Sequence, residues 1–187
     1  MKKKLIIILL IILLGFIVYS IIKNTGVNNL QTKSNITTQN TFDGKNSSFI
    51  LDGESVTLKN GVSEKAVTVG SASKIVTRYF GNESYGDLND DGLQDEAFLV
   101  SQETGGSGIF YYVVVALKTS TGYKTTNAFF IGDRIAPQTT QINTSAKELY
   151  VNYAERKSGE PMTARPSQGA TLYLKVTPAG VLEGVMN

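Results

Sequence analysis

The residues with the clearest chemistry lie in one short acidic segment, residues 86–100, which read GDLNDDGLQDEAFLV. Side-chain oxygens recur along it at short intervals, at Asp87, Asn89, Asp91 and Asp95. Alternate side chains of a tight turn can converge on one hard cation, and oxygen is the ligand atom that calcium prefers. Gly92 allows the sharp bend that such a turn needs. The spacing therefore predicts a structural Ca2+ site.

This segment is not an EF-hand loop, because Phe98 stands at position 12 counted from Asp87, where an EF-hand has a bidentate glutamate. The pattern D-x-N-x-D-G-x-x-D before a strand instead resembles the calcium turns of integrin-type propeller repeats. That resemblance implies a backbone carbonyl ligand from Leu93 and a completing water, beside the side chains of Asp87, Asn89, Asp91 and Asp95. The alternative is an acidic turn held by its own Asx hydrogen bonds, with no ion.

The composition excludes several kinds of catalytic site, since the chain has no cysteine and no histidine. Disulfides, thiolate nucleophiles and cysteine-type zinc sites are thereby excluded, and the commonest general base is missing. We therefore expect a binding domain and not an enzyme. One alternative is an envelope glycan hydrolase with two catalytic carboxylates from Asp133, Glu155 or Glu160, although no spacing marks a pair. Another is a secreted-type inhibitor or sensor of an enzyme.

The formal net charge of +2 depends on the N-terminus. Residues 1–23 hold four lysines and no acid, so the remainder carries 14 basic and 16 acidic side chains. No cluster of lysines or arginines is visible in that remainder. Nucleic acid is not an expected partner, because binding to phosphates requires such clusters.

Residues 5–22, LIIILLIILLGFIVYSII, form an uncharged run of eighteen residues. As a helix the run would span about 27 Å, close to the hydrocarbon thickness of a bilayer. Three lysines precede it, which predicts a cytoplasmic N-terminus and a C-terminal domain outside a single-pass cell membrane anchor over residues 1–23. The alternative is a cleaved signal peptide, but residues 19–24 lack the small-residue pattern of a cleavage site.

Residues 24–46 are rich in Asn, Thr, Gln and Ser and show no helical or strand period. Such a segment buries too little apolar surface to offset its chain entropy, so it is predicted to be a flexible linker. From Phe49 onward short apolar runs alternate with turn residues. This change predicts an extracytoplasmic domain over residues 47–187.

The predicted strands of this domain are 49–52, 55–59, 66–69, 74–80, 96–102, 109–118, 123–131, 138–143, 148–155, 170–177 and 181–185. Runs 96–102 and 109–118 are apolar at nearly every position, which is typical of central strands buried on both faces. The glycine-rich segment 105–108 between them predicts a hairpin. Short strands with such turns indicate an all-β, antiparallel sandwich or small barrel, preceded by one N-terminal transmembrane helix.

Residues 56–176 resemble an uncharacterised family of bacterial extracytoplasmic domains. Four motifs in the same order carry the resemblance: GSAS at 70–73, GDLNDDG at 86–92, GGSG at 105–108 and GDR at 132–134. The resemblance implies an extracytoplasmic location and a calcium turn, and it implies no specific activity. The expected protein is a membrane-anchored, calcium-stabilised binding domain of the bacterial envelope. Its expected partner is an unidentified envelope protein or glycan.

Overall fold

Short apolar runs separated by turn residues fold into β-strands in the computed structural model, which describes residues 41–185. A short 3-10 turn, Gly44–Asn46, precedes the first strand. The strands are β1 (Ser48–Leu51), β2 (Glu54–Thr57), β3 (Val62–Ala66), β4 (Lys74–Gly86), β5 (Asp95–Glu103), β6 (Phe110–Thr119), β7 (Gly122–Thr125), β8 (Phe129–Asp133), β9 (Ala136–Asn143), β10 (Glu148–Glu155), β11 (Gln168–Val176) and β12 (Leu182–Gly184).

The strands form three sheets. The largest has the order β3-β4-β5-β6-β7, with β8 also paired to β6; a second has the order β12-β11-β10-β9; and β1 pairs with β2. Every strand pair is antiparallel. The predicted all-β, antiparallel class is therefore confirmed. Within residues 41–185 the sheets do not close into the small barrel that was one of the two predicted architectures.

The core explains the uninterrupted apolar sequence of β5 and β6. Leu99 and Val113 are fully buried on the face that packs against the four-stranded sheet. Phe98 and Val114 are fully buried on the opposite face, against the hairpin of β1 and β2. Both strands are central and buried on both sides, as their sequences predict.

Three strand predictions need correction. The predicted strand 66–69 is wrong, because the strand is β3, which ends at Ala66. The predicted strand 74–80 continues to Gly86 through a register shift around Gly81. The predicted strand 123–131 is two strands, β7 and β8, which both pair with β6. The ladder is interrupted between them, where the amide of Ala128 donates to the carbonyl of Ile50 in β1.

The compact unit to which these strands belong begins at Phe42. The ring centroid of Phe42 lies 5.7 Å from that of Phe98 and 5.2 Å from that of Tyr123. Residues 42–46, which the sequence assigns to the linker, are thus packed on the domain. The predicted anchor over 1–23 and most of the linker lie outside the described residues. Between residues 41 and 185 no helix is long and apolar enough to span a membrane.

Candidate functional site

The acidic turn connects β4 to β5 and is held against β9. A side chain at Gly86 would place its Cβ 2.7 Å from Ile142 Cγ2 and 2.9 Å from Thr144 Oγ1, so only glycine allows this approach. Farther along the turn, Gly92 has φ +78° and Asp90 has φ +65°. Both angles lie in the left-handed region, which glycine adopts freely and aspartate tolerates. The sequence therefore specifies the sharp bend locally.

Asp87 closes the turn through its carboxylate. Its Oδ1 accepts a hydrogen bond from the amide of Asp90 at 2.7 Å, and its Oδ2 accepts one from the amide of Gly92 at 3.1 Å. Burial alone would raise the pKa of Asp87, but these amides and the ammonium of Lys147 outweigh it and hold the pKa below its ordinary value. Asp87 is therefore an ionised carboxylate at neutral pH.

Asn89 and Asp91 lie together on the exposed side of the turn. Asn89 Nδ2 donates to Asp91 Oδ2 at 3.0 Å, and the backbone amide of Leu93 donates to Asp91 Oδ1 at 2.8 Å. The structure thus brings the side chains of Asn89 and Asp91 into direct contact. The bond from the amide of Leu93 is an Asx hydrogen bond of the ion-free alternative, and both bonds order the oxygens that a cation would use.

Asp95 is placed differently, because it is fully buried beneath the turn. Its Oδ2 accepts from the amide of Leu88 and its Oδ1 from the amide of Lys118, both at 2.9 Å. Burial raises the pKa of Asp95, the two amides oppose that effect, and the nearby carboxylates add to it. Asp95 therefore fastens the turn to the end of β6.

A cation that the sequence analysis did not identify lies at this turn. Lys147 Nζ is 2.9 Å from Asp90 Oδ1 and 3.4 Å from Asp87 Oδ2. The hydrogen bond to Asp90 is the main reason that the pKa of Lys147 is raised. Lys147 reaches the turn from the connection between β9 and β10, and no local sequence pattern joins segments so far apart. Between residues 41 and 185 no group of three or more His, Cys, Asp or Glu side chains is arranged to hold a metal.

The candidate carboxylates of a glycan hydrolase have local contacts. Asp133 Oδ1 accepts from the amide of Ile109 at 3.0 Å and from Arg134 Nε at 3.0 Å. The guanidinium of Arg134 lowers the pKa of Asp133. Glu160 Oε2 accepts from the amide of Lys157 at 3.0 Å, and Glu155 lies at the end of β10. Asp133 therefore ties its turn to the segment before β6, and Glu160 binds a backbone group of its own turn.

Glu96 is a buried carboxyl that the sequence analysis did not single out. Its side chain is turned toward the same face of β5 as Phe98 and is 6% exposed. Burial, followed by the carboxylates of Glu83 and Asp43, raises the pKa of Glu96 to about 7. A part of the Glu96 side chains is thus protonated at neutral pH.

Two of the depressions in the surface of the described residues lie near the acidic turn and near the hairpin of β1 and β2. One, of about 290 Å³, adjoins the acidic turn at Asn89 and is also lined by Leu117, Val176, Thr177, Pro178 and Gly180. The other, of about 340 Å³, lies between the hairpin of β1 and β2 and the edge of the large sheet. No motif in the sequence predicts the second depression, because it depends on how two separate sheets lie against each other.

No protein-family model, curated protein or solved structure matches the chain. The resemblance to an uncharacterised extracytoplasmic family therefore stays a prediction from the four motifs.

Proposed function

We propose that this protein is a membrane-anchored, extracytoplasmic binding domain of the bacterial envelope that is stabilised by calcium at the acidic turn. The observation that carries the calcium assignment is the charge of the exposed turn. The exposed turn carries three carboxylates, those of Asp87, Asp90 and Asp91, and the ammonium of Lys147 supplies one positive charge beside them. A net charge of about −2 then remains at the turn, which a divalent cation would neutralise.

The donor set fits calcium in its chemistry. Asp87, Asn89 and Asp91 offer side-chain oxygens, and Leu93 offers a backbone carbonyl; these are the ligand types that calcium takes. Each ionised carboxylate has about four lone-pair sites. Asp95 accepts two amide bonds and keeps acceptor capacity, whereas Asp87 accepts three amides and the ammonium of Lys147, so an ion bound by Asp87 would have to displace Lys147. Asn89 would have to turn its oxygen toward the ion and release its hydrogen bond to Asp91. The bound ion would supply charge neutralisation and order to the turn.

Thermal unfolding of the full chain in mild detergent tests the calcium assignment. We expect a dissociation constant of about 0.1–1 mM, as for extracellular calcium modules. At about ten times that concentration, linkage adds about 1.4 kcal/mol, which raises the melting temperature by a few degrees. Asp91→Ala should abolish this shift because it removes an exposed ligand.

The control variant is Lys175→Ala, which alters an ion pair with Glu183 on the four-stranded sheet and should keep the calcium shift. Lys118 is far from the turn in sequence but is a poorer control, because it lies beside Asp95, to which its backbone amide donates, and its side chain also donates to the Tyr123 hydroxyl. Equal melting temperatures in millimolar calcium and in chelator, with no heat of binding by calorimetry, would falsify the calcium site.

The location and the absence of catalysis have their own tests. The uncharged run behind three lysines supports a domain outside the membrane, so protease added to intact cells should digest it. A mature N-terminus just after Ile22 would show instead that the segment is cleaved.

Hydrolysis of cell-wall glycan by the purified chain, lost on substitution of Asp133, Glu155 or Glu160, would support the hydrolase.

A further inference from the structure

The turn between β2 and β3 has the hydrogen bonds of a β-hairpin, but the two strands separate immediately after it. At the turn, the amide of Lys59 donates to the carbonyl of Val62 at 2.9 Å, and the amide of Val62 donates to the carbonyl of Lys59 at 3.2 Å. In a continuous antiparallel hairpin the next hydrogen-bonded pairs would be Thr57 with Glu64, and Ser55 with Ala66. Neither pair forms among the described residues: β2 pairs with β1 alone, and β3 pairs with β4 alone.

The peptide groups on the open side of β2 can be assigned from its register. The amide of Leu58 donates to Ser47, and hydrogen-bonded pairs alternate along an antiparallel ladder. The bonds between β1 and β2 therefore involve Val56 and Glu54. The amides and carbonyls of Ser55 and Thr57 consequently point away from β1.

The same reasoning applies to β3. The amide of Tyr79 donates to Gly61, and the amide of Val67 donates to Ser73. These two bonds place Ser63 and Lys65 among the bonded pairs with β4, so the amides and carbonyls of Glu64 and Ala66 point away from β4. Two strand edges with outward peptide groups thus diverge from one turn.

The depression of about 340 Å³ lies where these strands diverge. Its walls include Leu51 and Val56 from the hairpin, and Val67 and Ile75 from the large sheet. Pockets of this size accommodate small ligands or a few residues of a peptide. The apolar walls suit side chains of the size of valine or threonine.

The innermost polar groups of the depression are Thr77 and Gln102, which are 2% and 8% exposed. Gln102 Nε2 donates to Thr77 Oγ1 at 3.1 Å. Gln102 Oε1 has no hydrogen-bond partner within residues 41–185. An accessible amide oxygen of this kind can accept a hydrogen bond from a ligand, such as a peptide N–H or a hydroxyl.

The lining of the depression carries two carboxylates, Asp52 and Glu54, and one ammonium, Lys65. Lys65 Nζ lies 2.5 Å from Glu54 Oε2, and this ion pair joins β3 to β2 across the depression. Both side chains are more than half exposed, so the pair is weak and opens at little cost. Asp52 accepts a hydrogen bond from the hydroxyl of Tyr112 at 3.2 Å. The excess of one carboxylate disfavours an anionic ligand, and the apolar walls suit uncharged side chains.

We propose that the cleft between β2 and β3 binds an extended, uncharged peptide segment of a partner protein, which adds a strand to the open edge of β2. Peptide N–H and C=O groups would pair with Ser55 and Thr57, as in other cases of strand addition. Alternate side chains would enter the cleft, where Val67 and Ile75 supply apolar contact and Gln102 accepts a hydrogen bond. This proposal rests on the binding role proposed above and gives that role a site and a partner class.

The test uses the full chain in mild detergent and a panel of capped, fluorescent pentapeptides that alternate Val, Ile or Thr with Ser or Asn. We expect members of the panel to bind with dissociation constants of about 1 mM or tighter, measured by fluorescence anisotropy. Hydrogen exchange should slow in β2 upon binding. An N-methylated copy of the best peptide should bind at least about tenfold more weakly, because it lacks the donors that strand pairing needs.

A matched pair of surface variants locates the binding site. Val67→Lys introduces a charge into the cleft and should weaken binding about tenfold. Val69→Lys makes the same change two residues on, at a fully exposed position outside the cleft lining, and should leave binding unchanged.

Three results would overturn the proposal. The first is that no peptide of the panel binds even at peptide concentrations several-fold above about 1 mM. The others are that the N-methylated copy binds equally well, or that Val67→Lys leaves peptide binding unchanged. Equal binding of the N-methylated copy would indicate an apolar pocket for other small molecules. All titrations are run in calcium and in chelator, so that failure of the calcium assignment and failure of peptide binding give separate results.

Discussion

At the scale of single residues, Lys147 is the cation that contacts the carboxylates of the proposed calcium site. Its ammonium contacts Asp90 and Asp87, so it already reduces the repulsion that a calcium ion would relieve. The lysine and a bound calcium ion would therefore compete for the same negative potential. The affinity for calcium should depend on this side chain even though a lysine cannot be a metal ligand.

Lys147→Met tests this competition. The variant keeps most of the apolar stem and removes the charge, so we expect a melting temperature in chelator that is lower by a few degrees. Calcium should bind it several-fold more tightly and produce a larger stabilisation than in the wild-type chain. Calorimetry and thermal unfolding measure both effects, with Lys175→Met as the matched control. An unchanged calcium affinity in Lys147→Met would contradict the competition.

A second residue-scale prediction concerns Asp133 and pH. The folded state lowers the pKa of Asp133, chiefly through its hydrogen bonds to Arg134, so the stabilisation is present above the unfolded pKa of about 4. It is lost as the pH falls through the lower, folded pKa. Asp133→Asn should therefore be less stable than the wild type by about 1–2 kcal/mol at neutral pH.

The difference between wild type and Asp133→Asn should shrink toward zero in urea unfolding below about pH 4. Comparing the two proteins at each pH removes the contributions of other carboxylates with lowered pKa values, such as Glu83 and Asp87. A difference that stays constant down to the acid limit would mean that the charge of Asp133 is not what stabilises its turn.

At the scale of elements, the local pattern of apolar residues predicts where a strand lies better than it predicts which strand it pairs with. The strand 148–155 has the predicted bounds, and the apolar runs of β5 and β6 identify the centre of the sheet. The run 66–69 is misleading, because Val67 and Val69 are exposed and only β propensity favours a strand there.

The acidic turn is predictable from the sequence, because its bend and its Asx hydrogen bonds involve residues only a few positions apart. The approach of Lys147, the burial of Asp95 against the amide of Lys118, and the cleft beside β2 all depend on contacts between distant segments. Those contacts follow from tertiary packing, which the periodicity of a single sequence does not encode.

β5 offers an element-scale prediction, because its two faces enter two separate core clusters. Phe98 packs with one cluster and Leu99 with the other, and both are fully buried. Phe98→Ala should cost about 3–5 kcal/mol and Leu99→Ala about 3–5 kcal/mol. The two residues are consecutive in the chain, but their side chains lie on opposite faces of β5 and share no cluster, so the double variant should come close to the sum. Chemical denaturation measures all three, and a strongly non-additive result would show that the two clusters are coupled.

At the scale of the whole molecule, the described unit begins before its first strand. Phe42 packs among the rings of Phe98 and Tyr123, and the turn that follows contributes backbone contacts. The amide of Gly61 donates to the carbonyl of Lys45 at 2.8 Å, and the amide of Asn60 donates to Asn46 Oδ1 at 2.8 Å. Residues 42–46 therefore cover one end of the core and brace the turn between β2 and β3.

A fragment that begins at Ser47 should consequently be less stable than one that begins at Phe42. The loss combines a partly buried aromatic ring with two hydrogen bonds, and we expect it to reach about 3 kcal/mol in urea unfolding. Phe42→Ala in the full chain should reproduce the larger part of this loss, because it removes the ring and keeps the hydrogen bonds. Limited proteolysis of the full chain should leave a resistant product that retains Phe42. If the fragment 47–187 unfolds at the same urea concentration as the fragment 42–187, residues 42–46 do not stabilise the domain, and its boundary lies at Ser47 as the composition alone suggests.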